Sequence, residues 1–174
     1  TMVQGDSSSS SKGEALHVAF PWDPGSDFRG WKLGDAQEWP SNARRATNTS
    51  IKYVFATPPA PDMDVFAFDF DRDPDLLLGS APHTNAISTD LDAFKQSGGK
   101  MIVYHGLGDQ GVSAFGTTDY FDRLAANYDD ANDFSRLYLM RNIGHSRIGT
   151  GPDTFDGFEA LVDWVEHDRA PGAL

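Results

Sequence analysis

The amino-acid sequence predicts an α/β protein with a short parallel sheet, flanking helices and a loop-rich N-terminal region. Residues 100–104 (Lys-Met-Ile-Val-Tyr) form a short apolar run with a β-branched centre, and residues 135–140 (Ser-Arg-Leu-Tyr-Leu-Met) form a second run. Such runs are typical of buried parallel strands. A helical pattern follows each run, and this strand-helix-strand-helix order indicates parallel pairing with right-handed crossovers.

The two helices that follow the strands have apolar residues at helical spacing. The first is expected from Thr117 or Thr118 to about Tyr128, and the second from Thr154 to about His167. Pro171 and Gly172 beyond the second helix are suited to ending it. The inner faces are expected to carry Tyr120, Phe121, Leu124 and Ala125 in the first helix and Phe155, Phe158, Leu161, Val162 and Val165 in the second.

The chain upstream of these elements has a different composition. Residues 1–13 contain a five-serine run flanked by glycines, which predicts a flexible linker or a cloning-derived arm. The folded domain is therefore expected over residues 14–174. Within it, residues 14–61 are rich in Trp, Pro and Gly, a composition that favours irregular loops.

Two helices are predicted in this upstream region. One runs from about Asn42 to Ala56 and is ended by the prolines that follow. A shorter one covers residues 90–97, where two glycines provide the stop signal. The face of the longer helix is expected to hold Ile51, Val54 and Phe55.

Composition excludes several classes of function. The chain has 174 residues, enough for one domain with a sizeable core. It carries 26 acidic and 14 basic residues, and the resulting charge of −12 opposes binding to nucleic acid or to anionic lipid. No apolar run approaches the roughly 18 residues of a membrane span. Because the chain has no cysteine, it has neither disulfides nor thiolate metal sites. Its cysteine content therefore does not indicate whether it works in an oxidising or a reducing compartment.

An aspartate and a histidine follow the two predicted strands at matching positions. Asp109 lies five residues after Tyr104, and His145 lies five residues after Met140. Loops at the carboxyl ends of adjacent parallel strands meet at one sheet edge. There an aspartate can orient an imidazole, which then acts as a general base towards a nucleophile. The alternative is that Asp109 caps its own turn and His145 is an ordinary loop histidine.

Several motifs accompany Asp109: residues 98–106, residues 118–121, residues 144–145 and residues 161–166, preceded by residues 66–73. In these motifs the chain resembles a known family, the tannase and feruloyl esterase family, in the C-terminal part of its α/β-hydrolase domain. The resemblance extends over roughly residues 20–173. It implies a truncated α/β-hydrolase domain and a secreted serine esterase of aromatic esters such as gallates, ferulates or terephthalate mono-esters. It also implies roles for Asp109 as triad acid and His145 as base.

The nucleophile that this resemblance implies is absent from the chain. Family members carry it upstream in a Cys-Ser elbow, and a cysteine directly after the catalytic histidine pairs with that upstream cysteine. Here the residue after His145 is Ser146, and no Gly-x-Ser-x-Gly elbow precedes Asp109. The chain is thus either a natural short relative or a severed half with its cysteine replaced. Ser146 and Ser113 are the candidate substitute nucleophiles, although Ser146 adjoins the base and would point away from it.

No cofactor and no metal are expected. Aspartates alternate at positions 69, 71, 73 and 75, but a calcium loop needs Gly and Glu where Pro74 and Ser80 stand, so a solvated acidic loop is predicted. The expected partners are an aromatic ester and either a second copy of the chain or the missing serine-bearing segment, since the edge of a short sheet must be covered. The alternative function is a catalytically impaired, aromatic-ligand-binding remnant or pseudoenzyme.

Overall fold

The computed structural model describes residues 3–4, 18–23, 48–145 and 149–172. They fall into two compact units. The first, here called the helical unit, comprises residues 18 and 48–86; the second, the sheet unit, comprises residues 3–4, 19–23, 87–145 and 149–172. The boundary between arm and domain at residue 13 stays a prediction.

The helical unit consists of short helical turns. Residues 48–50 are α-helical and continue into a π-helix, Ile51–Phe55; the earlier part of the helix predicted from Asn42 lies outside the described residues. A π-helix closes i to i+5 hydrogen bonds, so the α-helical spacing no longer defines one face. Val54 is accordingly exposed, whereas Ile51 and Phe55 are half-buried, so the prediction that the three residues share one face is wrong at Val54.

Two 3₁₀ helices, Val65–Ala67 and Asp73–Leu77, lead to α1 (Ala81–Thr84). Asp73 at the start of the second is buried, and its carboxylate accepts hydrogen bonds from the Arg72 guanidinium at 2.6 and 2.8 Å. It also accepts one from the Asp69 backbone N–H at 2.8 Å. The predicted solvated acidic loop is therefore wrong at Asp73.

The sheet unit contains the predicted parallel pair of strands. The short strands β1 (Val3–Gln4) and β2 (Pro21–Trp22) pair antiparallel, whereas β3 (Met101–Gly106) and β4 (Ser135–Met140) pair parallel. β1 lies within the predicted arm. The parallel register joins Met101 to Ser135 and Gly106 to Met140. The predicted class, an α/β fold with a short parallel sheet and flanking helices, is confirmed.

A short helix precedes β3 in the chain, and a longer helix connects β3 to β4. After α2 (Asp92–Gln96), the long helix α3 (Ala114–Asn127) begins three residues earlier than Thr117, because Ser113 caps it by accepting from the Phe115 N–H at 3.2 Å. Ala125 is exposed, so its predicted inward position is wrong. The core cluster contains Leu124, Ala131 and Phe134, with Tyr120, Phe121 and Met101 packed against it.

The last helix, α4 (Gly157–His167), begins after its cap Asp156, which accepts from the Glu159 N–H at 2.9 Å. Its buried residue is Trp164, at 2% exposure. Lys100 and Arg136 lie over the indole ring at 5.2 and 4.9 Å from its centroid. These cation–π contacts explain why Trp164 faces the strands.

The outer face of α4 departs from the expected burial pattern. Phe158 is 76% exposed and Val165 is 55% exposed, so their predicted core positions are wrong. The two residues are seven positions apart, two helical turns, and share one face. Within the described ranges, no helix has the length and apolarity that a membrane crossing requires.

Trp164→Ala should lower the free energy of unfolding by about 3–5 kcal/mol, because it leaves a cavity where the indole ring now packs. Phe158→Ala on the same helix should change it by less than about 0.5 kcal/mol, since that ring is already in solvent. Urea unfolding of both variants measures the two values. Equal losses would contradict the burial of Trp164.

Candidate active site

The loops that leave β3 and β4 lie against each other. Gly106 pairs with Met140 at the last position of the parallel pairing, so the segments that follow the two strands leave the sheet at the same edge. A Cβ at Gly106 would lie 2.2 Å from the Ile143 carbonyl oxygen, which only glycine avoids. The same oxygen accepts a hydrogen bond from the Gly108 N–H at 2.9 Å. This contact sets the spacing of the two loops.

Asp109 and His145 lie in contact at this edge. His145 Nδ1 is 3.1 Å from Asp109 Oδ2 and 3.2 Å from Oδ1. The backbone N–H of His145 donates to Gln110 Oε1 at 3.1 Å, and Gln110 is buried. The adjacent residues Asp109 and Gln110 therefore hold the ring and the backbone of His145. The side chain of His145 is 35% exposed and that of Asp109 is 11% exposed. The imidazole is therefore accessible to solvent, whereas the carboxylate is shielded from it.

Asp109 also caps the turn that follows it. Its Oδ1 accepts from the Gly111 N–H at 2.7 Å and from the Val112 N–H at 2.8 Å. Turn capping and contact with the imidazole were alternatives at the level of the sequence, and the carboxylate does both.

A second histidine, which the sequence had not linked to Asp109, also lies near the carboxylate. His105 Nε2 is 3.5 Å from Asp109 Oδ2, longer than an ordinary hydrogen bond and therefore chiefly an electrostatic contact. His105 Nδ1 is 2.8 Å from Thr117 Oγ1. The available signal was its place next to the end of β3, four residues before Asp109.

The pKa of Asp109 reflects competing effects. Burial raises it, whereas contacts from His105, the Val112 and Gly111 N–H groups and His145 lower it. The lowering contacts together outweigh burial and hold the pKa of Asp109 well below its usual range. Asp109 is therefore ionised at neutral pH and accepts hydrogen bonds from its donors.

A buried aspartate anchors the loop that carries His145. Asn142, whose φ of 55° is in the left-handed region, donates its backbone N–H to Asp23 Oδ2. Asp23 is buried, with Arg141 Nε 3.9 Å from Oδ1. Asp23, which follows β2, was not among the residues expected to matter.

Of the two candidate substitute nucleophiles, the structure describes Ser113 but not Ser146. Ser113 Oγ donates to the Ala19 carbonyl at 2.5 Å and accepts from the Phe115 N–H at the start of α3. Its hydroxyl proton is thus directed to a carbonyl oxygen rather than to an imidazole. Ser146 lies outside the described residues.

An aromatic groove of about 360 Å³ lies elsewhere on the sheet unit. Tyr104 and Phe155 meet edge to face there, with ring centroids 4.9 Å apart, and Phe158 extends the lining. Asp109 and His145 are not part of this lining. Across the described part of the chain, no group of three or more His, Cys, Asp or Glu side chains could hold a metal ion.

The chain is similar to esterases in sequence and in fold. It is 36% identical to a mono(2-hydroxyethyl) terephthalate hydrolase of Piscinibacter sakaiensis, over 94% of this chain and 32% of that protein. It is 30% identical to feruloyl esterase B of Aspergillus niger, over 55% of this chain and 22% of that protein.

The fold resembles the crystal structure of an esterase from Aspergillus oryzae, with a TM-score of 0.73 and 24% identity over 95% of this chain and 35% of that one. The chain thus matches between about a fifth and about a third of the length of these relatives. A family model described as tannase and feruloyl esterase matches residues 6–174. Because that match covers almost all of the sequence, the chain belongs to the tannase and feruloyl esterase family.

Proposed function

We propose that this chain supplies the acid and the base of an aromatic ester hydrolase, with Asp109 orienting His145 and a serine nucleophile provided by a segment outside the chain. The observation that carries the proposal is the contact of 3.1 Å between His145 Nδ1 and the ionised Asp109 carboxylate. It is the arrangement that a general base and its orienting acid require.

The chemistry follows from the tautomer that this contact selects. An N–H at Nδ1 donated to Asp109 makes Nε2 the basic nitrogen of the neutral imidazole. Nε2 takes the proton of the serine hydroxyl while the serine oxygen attacks the ester carbonyl, and then gives that proton to the departing alcohol. Water repeats the sequence and releases the aromatic acid. Throughout, Asp109 stays ionised and stabilises the imidazolium.

The proposed substrates are esters of aromatic carboxylic acids. This choice is supported by the similarity to a terephthalate hydrolase and to feruloyl esterases, whose names share an aromatic acyl group. The chain matches 32% of the terephthalate hydrolase and 22% of feruloyl esterase B. We therefore assign the proposed activity to this chain together with a serine-bearing part.

The serine-bearing segment is proposed to cover the open side of the sheet unit. Among the described residues, β3 pairs with β4 alone, so no described strand lies along its other edge. Phe158 and Val165 on α4 are exposed, together with Tyr104 on β3. Native proteins cover such edges and apolar surfaces. A second copy of the chain is the other candidate, and it would appear as a dimer in sedimentation.

A second candidate function, binding of an aromatic ligand without catalysis, is favoured by the groove beside Tyr104, Phe155 and Phe158. A serine-directed phosphonate followed by mass spectrometry tests whether the pure chain has a nucleophile of its own. Labelling of a serine would contradict the proposal that the serine lies outside the chain. Ferulate binding by the pure chain that Phe155→Ala removes supports the ligand-binding function, provided that the chimaera described next is folded and inactive.

A chimaera tests the proposed catalytic roles. Residues 14–174 of this chain replace the matching third of the terephthalate hydrolase, and hydrolysis of mono(2-hydroxyethyl) terephthalate is measured. We expect activity in the chimaera, and a loss on the order of 10⁶-fold in its His145→Gln variant, because the general base is removed. Ser146→Ala should leave the activity unchanged. A folded chimaera whose activity is indifferent to His145→Gln would overturn the proposal.

Ionised Asp109 should also contribute a pH-dependent part of stability. At neutral pH, Asp109→Asn should lower the free energy of unfolding by about 1–3 kcal/mol, the cost of weakening hydrogen bonds to a buried charge. The folded pKa lies below the unfolded value of about 4, so this contribution is complete above that value and shrinks as the pH falls towards the folded pKa. Urea unfolding at several pH values measures the difference.

Asp119→Asn is the matched control for that comparison. Asp119 forms an exposed pair with Arg123 on α3, at 3.0 Å, and its loss should cost less than about 1 kcal/mol. A cost for Asp109→Asn that equals the control, or that persists undiminished at the acid end, would contradict the assignment of Asp109 as a buried anion.

A further inference from the structure

The Asp109 carboxylate lies near two imidazoles, and the proposed mechanism uses only one of them. His145 Nδ1 lies 3.1 Å from Oδ2, while His105 Nε2 lies 3.5 Å from the same oxygen. The side chain of His105 is 13% exposed, so its contact with Asp109 is shielded from water. Such shielding strengthens the interaction relative to a surface pair.

His105 is itself held by a hydroxyl on α3. Thr117 Oγ1 lies 2.8 Å from His105 Nδ1. In a neutral imidazole one ring nitrogen donates and the other accepts. A hydroxyl that donates to Nδ1 therefore leaves the N–H on Nε2, the nitrogen that faces Asp109. α3 is a rigid support for this hydroxyl, since Ala114 and Leu124 on the same helix are fully buried.

We propose that His105 is a positioning residue of the active site, whose tautomer is set by Thr117 and whose Nε2–H holds the Asp109 carboxylate in the orientation that accepts His145 Nδ1. The inference rests on the roles assigned above to Asp109 and His145. It adds a chain of contacts, Thr117 to His105 to Asp109 to His145, that runs from helix to strand to the two loops.

The distances explain why the carboxylate needs such a partner. His145 Nδ1 is almost equally far from the two carboxylate oxygens, at 3.1 and 3.2 Å, so this contact alone does not fix the rotation of the group. The N–H groups of Gly111 and Val112 both hold Oδ1. His105 adds a second imidazole near Oδ2, the oxygen that these two N–H groups leave to the histidines. Its contribution to lowering the pKa of Asp109 is consistent with this placement.

A purely structural role, in which His105 and Thr117 only tie β3 to α3, makes a different prediction. In that case removal of the Thr117 hydroxyl would lower stability but leave the state of Asp109 and His145 unchanged. The protonation state and tautomer of these two groups are therefore the informative readouts, and both can be measured on the chain without any ester substrate.

The test uses the full chain with ¹⁵N-labelled histidine and ¹³C-labelled aspartate in NMR. Thr117→Val removes the hydroxyl at nearly constant volume. We expect the ratio of the Nε2–H to the Nδ1–H tautomer of His105 to fall roughly fivefold, the equilibrium effect of one ordinary hydrogen bond. The Nδ1–H population of His145 should fall with it, and the carboxyl titration of Asp109 should move to higher pH.

Three further variants make the result specific. Thr117→Ser, which restores the hydroxyl, should return the tautomers towards those of the parent chain. Thr118→Val is the matched control, because the Thr118 hydroxyl donates to the Phe115 carbonyl at 2.9 Å, so the variant should leave the histidines unchanged. His105→Gln should shift the Asp109 titration in the same direction as Thr117→Val.

The proposal is overturned if folded Thr117→Val gives the same histidine spectra as Thr118→Val, or if folded His105→Gln leaves both the His145 tautomer and the Asp109 titration unchanged. Neither outcome depends on ester hydrolysis. An inactive chimaera would count against the proposed function alone, and unchanged spectra would count against the positioning role alone.

Discussion

The in-register parallel pairing of β3 with β4 is the constraint on which the site depends. It ends with Gly106 opposite Met140, and from that point both loops leave the sheet together. The absence of a side chain at Gly106 admits the Ile143 carbonyl, which brings the second loop against the first. A slip of one residue would turn the side chains to the opposite face and separate the carboxylate from the imidazole.

The carboxylate of Asp109 has contacts both within its own turn and with residues from other parts of the chain. Two N–H groups of its own turn hold one oxygen, while two imidazoles from different parts of the chain face the carboxylate. Burial would normally favour the neutral acid, but this many donors favour the anion. The charge of the carboxylate is thus stabilised by groups of the chain itself. Electrostatic preorganisation of this kind costs no rearrangement during a reaction.

Local pattern accounts for what the sequence predicted well, and through-space contacts account for what it did not. The apolar run at residues 135–140 identified β4, because the pattern of neighbouring residues along the chain predicts a strand, although this strand is only partly buried. By contrast, the buried Trp164 contacts Lys100, which precedes β3, and Arg136 on β4, and no sequence pattern predicts these contacts. Phe158 is exposed although it fits an apolar helical stripe. His105 and Thr117 meet only after β3 and α3 have packed, so no spacing rule links them to Asp109.

The adjacency of Asp109 and Gln110 has a consequence for how this loop can vary. Asp109 contacts the ring of His145 and Gln110 accepts from its backbone N–H, so the two contacts come from residues joined by one peptide bond. A residue inserted between them, or the deletion of either, would keep at most one of the two contacts. Loop length, normally the freest variable in a protein family, is at this point as tightly restricted as residue identity.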